Sequence, residues 1–360
     1  MQSFEVTTLA ERASAALPNN IWLAIAWITL AAVGVATFTG VSGLVLVYAE
    51  RKIAAHFQCR LGPMRVGWHG VLQTLADALK LLLKEDIVPA QADKLLHMVA
   101  PFFALLAAML CLVVIPFSPL VHAADMNIGV LYITAISGLG VFGILIGGWS
   151  SNNKWSLLGA MRSGAQMISY ELSVTLSLLV VVMFAGTLQL SQIVASQADG
   201  WWIWRAHLPG LVAFVIFFIA SIAEINRTPF DIPEGESELT GGFHTEYSGL
   251  RFAFFFLSEF VNMFIVSSLT VTLFFGGWMP FHIGGLSGFN AVMDLLPPLI
   301  WFFLKVSAAI FMMMWFRWTF PRLRVDQLMK LEWKIFLPIG LINLFVTSIL
   351  ILSGLYFFPV

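Results

Sequence analysis

Residues 209–242 read PGLVAFVIFFIASIAEINRTPFDIPEGESELTGG. The run from Pro209 to Ala223 carries no charge, and four acids, Asp231, Glu234, Glu236 and Glu238, then fall within eight residues. The whole chain holds only 20 acids in 360 residues. A cluster of like charges directly after a bilayer-length apolar run is costly unless water, protons or a partner protein uses it. The stretch therefore predicts a membrane helix that ends on a working loop.

The rest of the chain repeats the apolar half of this pattern. It is 59% hydrophobic and 11% charged, against roughly 25% charged in a soluble domain, and several runs exceed the ~18 apolar residues that cross a bilayer. The expected fold class is an all-α membrane protein: about eight transmembrane helices plus an amphipathic cytoplasmic-side helix after the first span, forming one polytopic domain over 1–360. Spans are expected at about 21–48, 97–120, 128–148, 162–190, 209–226, 250–276, 296–319 and 335–357. A net charge of −1 gives no basic field for nucleic acid. Two cysteines, Cys59 and Cys111, are too few to build a zinc site or ligate an iron–sulfur cluster. Glu5 and Glu11 make the first twenty residues unlike a cleaved signal peptide, so the first span is expected to direct its own insertion. No repeat of 20–50 residues is evident, which disfavours an inverted-repeat transporter.

Charge bias sets the expected orientation. The connections after spans one, three, five and seven hold 16 Lys and Arg, against two (Arg12 and Arg205) in the N-terminal tail and the other connections. The positive-inside rule puts the first group, with the acidic loop, in the cytoplasm and both termini outside. Trp201, Trp202 and Trp204 suit the outer interface.

Segment 68–86 differs from a span. Gln73, Asp77, Lys80 and Lys84 recur at steps of four, three and four, which is one helical face, with leucines over much of the rest. This predicts a helix lying along the interface, whose plainest form is a solvated Asp77–Lys80 pair. Gly138, Gly140 and Gly143 spell a GxGxxG inside a membrane run, with no strand before it and no acidic ribose partner after it. Gly143 and Gly147 instead have the small-xxx-small spacing of close helix packing.

Four ionisable groups interrupt spans: Glu171, Glu224, Glu259 and Lys305. Glu171 is expected about 14 Å deep at ~1.5 Å per residue, and Glu259 at similar depth. Alternating carboxylates and water form a proton path, so these four make a candidate relay. The competing account is structural: Lys305 paired with one glutamate, or a glutamate snorkelling to the interface.

Three stretches, and a weaker fourth, carry a family resemblance. Glu50-Arg51-Lys52 leads to Gln58-Cys59-Arg60-Leu61-Gly62-Pro63; the second stretch runs from Gly70 to Glu85, the third from Pro229 to Gly242, and the fourth from Arg317 to Leu328. Over nearly its full length the chain resembles one family of membrane subunits of respiratory complex I (NADH-quinone oxidoreductase), the bacterial H subunit and its mitochondrial counterpart. The resemblance implies a multi-pass protein of a bacterial inner membrane. It would dock other complex I subunits, both those of the peripheral-arm quinone module and its membrane-arm neighbours. It would also line the chamber where ubiquinone or menaquinone is reduced, coupled to proton or sodium pumping.

No cofactor or metal is then expected on this chain: flavin mononucleotide and iron–sulfur clusters would sit in partner subunits, and the isolated chain would have no activity. The resemblance assigns Arg51, Gln58, Arg60, Asp77, Lys80 and Lys84 to the chamber or to peripheral-arm docking. It assigns Asp231, Glu234, Glu236, Glu238 and Glu246 to a loop facing the quinone cavity, which would pass protons toward Glu224, Glu171 and Glu259. Crowded carboxylates cannot all ionise in a confined space. An acidic docking surface is the other reading of this loop. Val325 stands where the family usually has Tyr, so no role for that ring carries over, and Phe243 and His244 receive none. The alternatives are the homologous subunit of a membrane-bound hydrogenase or of a ferredoxin- or deazaflavin-dependent complex, a stand-alone transporter, and a purely structural anchor.

Overall fold

A computed structural model describes residues 8–16, 21–232, 241–282 and 287–354. Among these, eight helices are long and apolar enough to cross a membrane: Ile21–Phe57, Lys94–Val114, Gly129–Ser150, Lys154–Ala185, His207–Glu224, Gly249–Phe274, Pro298–Thr319 and Val325–Ser353. They are called spans one to eight below. The protein is an all-α membrane protein, and the described residues contain no strand.

Local chemistry explains where the span ends depart from the apolar runs. Span one continues through Arg51 and Lys52 to Phe57, because a helix satisfies its own backbone and need not stop where charge begins. Span two begins at Lys94, where Asp93 caps the amides of Leu95 and Leu96 at 3.1 and 3.2 Å, and stops before Pro116, which disfavours helix at Ile115. Span four begins at Lys154, well before the expected 162, because the Asn153 side chain accepts from Trp155 N at 2.9 Å. It closes on Gly186 at φ 69°, the left-handed geometry of a helix C-terminus. Span eight is helical from Val325 but contains a π turn, Glu332–Phe336.

The stretch expected as one helix over 68–86 is a 3-10 turn, Trp68–Gly70, and a helix, Gln73–Leu83. Asp77 does not pair with Lys80; it forms a short ion pair with Arg51 of span one and accepts from Gln73 at 3.3 Å. Leu75, Leu79, Leu82 and Leu83 of this helix are exposed.

Spans five and six form the centre, each with 56% of its most apolar window buried, while span one has 6% and lies at the periphery. Glycine sets the spacing between spans two and three. A Cβ on Gly143 would stand 2.7 Å from the Ala104 nitrogen, so the two backbones are in direct contact. A Cβ on Gly159 would meet Gly242 at 2.9 Å, which seats the end of the acidic loop on span four. Ser156 Oγ donates to Phe243 O at 2.8 Å beside this contact.

Overpacking of this kind costs about 1–3 kcal/mol. Gly143→Leu should therefore lower the melting temperature and folded yield of the purified protein. Gly34→Leu, where no atom lies within 4 Å, should leave both unchanged. Equal behaviour of the two variants in a thermal-shift assay would contradict the close approach.

Candidate functional site

Span five ends on Glu224, and the chain then makes a tight turn through Asn226 at φ 54°. Gln166 of span four holds this turn: its Nε2 donates to Ala223 O and Phe230 O at 2.7 Å each and to Asn226 Oδ1 at 3.2 Å. The turn delivers Arg227 into the interior. Its guanidinium lies 3.0 Å from Glu50 Oε2 at the end of span one and 2.7 Å from Glu259 Oε1 in span six, over the Phe260 ring at 4.4 Å. Arg317 of span seven closes on the other Glu50 oxygen in a short ion pair. Two cations and two anions are thus interleaved where four chain segments meet. Just outside, Asp231 receives Arg322 Nη2 at 2.8 Å, and Leu323 N donates to Pro229 O at 3.0 Å. Together these contacts join the third and fourth sequence motifs.

A cavity of about 430 Å³ opens beside this network. Its lining includes the rings of Phe243, Phe252, Phe255, Phe256 and Phe260. It also includes the charged groups Arg51, Arg60, Arg227 and Arg317, with Glu50, Glu224 and Glu259. Of the three carboxylates, Glu50 and Glu259 are ion-paired. Among the described residues no hydrogen bond or ion pair holds Glu224. A smaller recess of about 80 Å³ shares Glu224, Ser258 and Asn262 with the cavity and continues among Thr134, Ser137 and Ser221. That volume admits several waters, since one needs roughly 10–15 Å³. Toward the surface, Arg51 and Arg60 also line an open depression with Gln73 and Asp77.

The structure brings some of the expected residues together and separates others. Arg51, Arg60, Glu224 and Glu259 meet at the cavity, Asp77 pairs with Arg51, and Gln58 accepts from Arg60 Nε at 2.7 Å. Lys80 and Lys84 are exposed. Glu171 lines neither the cavity nor the recess. Its carboxylate faces Gly138 of span three, 3.8 Å from where a Cβ would stand. Glu246 is set apart, accepting from Asn153 Nδ2 at 2.6 Å. Glu234, Glu236 and Glu238 lie outside the described residues. Lys305 joins no glutamate: its Nζ donates to the carbonyls of Phe275, Gly277 and Met279 at 2.6, 3.1 and 2.6 Å, over the Trp201 ring. Sixteen residues of helix, about 24 Å at ~1.5 Å per residue, separate Phe275 from Glu259. Lys305 therefore caps the far end of span six.

Sequence reasoning passed over Glu50, Arg227 and Arg317 as members of the site. Their one available signal was charge at the very end of an apolar run. It also assigned nothing to His244, which lines the cavity; burial pushes its imidazole down to about 4.

Comparisons with known proteins give the family. The family model described as NADH dehydrogenase matches residues 29–348. The NADH-quinone oxidoreductase H subunit of Bacteroides fragilis is 50% identical over 359 residues, 99% of this chain and all of the relative. That of Phocaeicola vulgatus is 53% identical over 317 residues, 88% of each chain, and that of a Geobacillus strain 50% over 306 residues, 84% of this chain and 88% of the relative. The chain belongs to the NADH dehydrogenase family. In this chain residues 229–232 are tied to the Arg317–Leu328 motif by the Asp231–Arg322 pair and the Leu323–Pro229 hydrogen bond.

Removing one partner from a buried ion network costs about 3–5 kcal/mol, because a charge is left uncompensated. Arg227→Met should destabilise the purified protein on that scale, and adding Glu259→Gln should recover part of the loss. A thermal-denaturation double-mutant cycle showing strict additivity would remove the coupling. His244 gives a separate pH signature. With its folded value near 4 and an ordinary value of 6.5, the unfolded chain takes up the proton first. Stability is then retained above pH 6.5 and lost as pH falls from 6.5 toward 4, by at most about 3 kcal/mol. Melting temperatures of His244→Phe should fall less over that window than those of the parent.

Proposed function

We propose that this chain is the membrane subunit through which an NADH:quinone oxidoreductase couples quinone reduction to ion translocation, and that the 430 Å³ cavity receives the quinone headgroup. The observation that carries this reading is a cavity lined by both phenylalanine rings and guanidinium groups, with one carboxylate, Glu224, that no ion pair holds among the described residues. Ligand sites are typically apolar clefts of about 300–1,000 Å³ with a few convergent polar groups. Reduction of a quinone to a quinol takes up two electrons and two protons. Among the described residues four guanidinium groups and three carboxylates line the cavity, and guanidinium groups favour a transient negative charge on the headgroup. The relatives are named as H subunits of NADH-quinone oxidoreductase, which points to the same substrate and favours it over a hydrogenase-type complex.

In this reading the electrons arrive from an iron–sulfur cluster in a peripheral-arm partner, and NADH and flavin mononucleotide are bound by partners as well. The isolated chain has no electron donor and no turnover. Exposed Lys80 and Lys84, with Gln58 and the Arg51–Asp77 pair, supply a polar docking face for the peripheral arm. The charge bias of the loops puts that face and the acids at Asp231, Glu234, Glu236 and Glu238 in the cytoplasm, with both termini outside. Protons pass from the acidic loop to Glu224, through the hydroxyl-lined recess, and on toward Glu171. Glu259 and Glu50, fixed by Arg227 and Arg317, set the field in which Glu224 works. Lys305 serves structure at the opposite end.

Glu224→Gln removes the exchangeable proton and keeps the shape. In the assembled complex it should cut NADH:quinone turnover and proton pumping at least tenfold. Complex size on a native gel should be unchanged, as should NADH oxidation by an artificial acceptor at the partner flavin. Quinone-dependent turnover and pumping at parental levels would refute the role given to Glu224. Unaltered quinone KM in Phe256→Ala and Ser258→Trp would refute the cavity as the headgroup site.

A further inference from the structure

The eighth span carries an acid that the cavity network does not use. Glu332 is fully buried, and so is Ser173 of span four, whose Oγ donates to Glu332 Oε1 at 2.6 Å. Oε2 is also buried, with no hydrogen-bond partner among the described residues. No Arg, Lys or His of the described residues stands within ion-pair distance of either oxygen. The titratable group facing it from span four is Tyr170, whose hydroxyl donates to Leu328 O at 3.0 Å. Glu171 leaves span four on another side, toward Gly138 of span three. On its own helix, Asp326, Lys330 and Lys334 are exposed.

An ionised carboxylate offers about four acceptor sites and carries a full charge. Here one site is served and no cation answers the charge. A neutral acid leaves only a hydroxyl unsatisfied, which is the far smaller penalty. The backbone supplies a second, independent observation: Glu332 begins the π turn that runs to Phe336, between the α-helical segments Val325–Leu331 and Leu337–Ser353. Such turns hold one residue more than the α-helix needs and are frequent at functional sites. Relaxing the turn by one residue rotates Glu332 by about 100°. That takes it off the Ser173 seam and toward the exposed face held by Trp333 and Lys334.

We propose that Glu332 is a proton-binding site separate from the cavity: a carboxyl that keeps its proton in the seam between spans four and eight and yields it to water when the π turn relaxes. The carboxyl O–H bond breaks, the proton goes to water at the charged end of span eight, and no electron moves. The site also has a mechanical link to the cavity loop. The helix that bears it follows Arg322, the partner of Asp231, and the span that clasps it bears Glu171. The proposal does not depend on the quinone reading, since pH alone drives the exchange.

Infrared difference spectra of the assembled, purified complex, stepped from acid to alkaline pH without substrate, test it. A protonated-carboxyl C=O stretching band should lose intensity at alkaline pH and be missing in Glu332→Gln. In Ser173→Ala the same band should persist and move to higher wavenumber, because its hydrogen bond is gone. Two results overturn the proposal: parent and Glu332→Gln spectra that match at every pH, or a band whose intensity never changes with pH. Should Glu332→Gln fail to assemble, the Ser173→Ala shift decides the assignment, and its absence counts against the site.

Discussion

Arg227 between Glu50 and Glu259 is the constraint from which the site follows. A guanidinium in that position is stable only if both carboxylates reach it, because a buried charge without its partner costs several kcal/mol. Glu50 ends span one, Glu259 lies in span six, and Arg317, which completes Glu50, ends span seven. Satisfying one side chain therefore fixes three helices around the turn that follows span five. Arg suits this role and Lys does not, since only a planar fork can serve two carboxylates in different directions.

The same pairing explains the chemistry left over. Three acids line the cavity, and the network consumes two of them. Glu224 differs from Glu259 because the guanidinium enters one turn later, after Asn226 has reversed the chain. Gln166 spends its amide protons on the carbonyls of that turn rather than on the acid. The fold thus holds two carboxylates as fixed charges and leaves one with an unengaged face toward cavity and recess. Fixed charges shape a field, and a group without a partner can exchange a proton at little structural cost.

The fold was legible because apolar runs of bilayer length have few alternatives. The span ends were not, because they depend on single caps such as Asp93 and Asn153 and on helices that continue past the bilayer into charged sequence. Glu224, Glu259, Arg51 and Arg60 were legible as charges in or beside apolar runs. Glu50, Arg227 and Arg317 were counted only for orientation or as motif letters. Their meaning lies in pairings across 177 and 267 residues that leave no local trace. Lys305 misled for the opposite reason. Its depth in an apolar run suggested an acid partner, but backbone carbonyls satisfy it, and backbone has no signature in sequence.

Lys305 and Arg227 together show how span six is polarised. At one end a lysine binds the carbonyls of Phe275, which closes the helix, and of Gly277 and Met279 just beyond it, where a cation also suits a helix C-terminus. Midway along the helix an arginine holds Glu259. Among the eight spans its apolar window and that of span five are the most buried, and cations hold it at its C-terminal end and midway along. A helix pinned in this way resists sliding, because any shift would break a charged contact. Adaptation must come from the elements around it: the turn after span five, the segment that joins spans seven and eight, and the π turn in span eight. Those elements are joined by Leu323 to Pro229 and Arg322 to Asp231, so the turn after span five and the lead-in to span eight are held against one another.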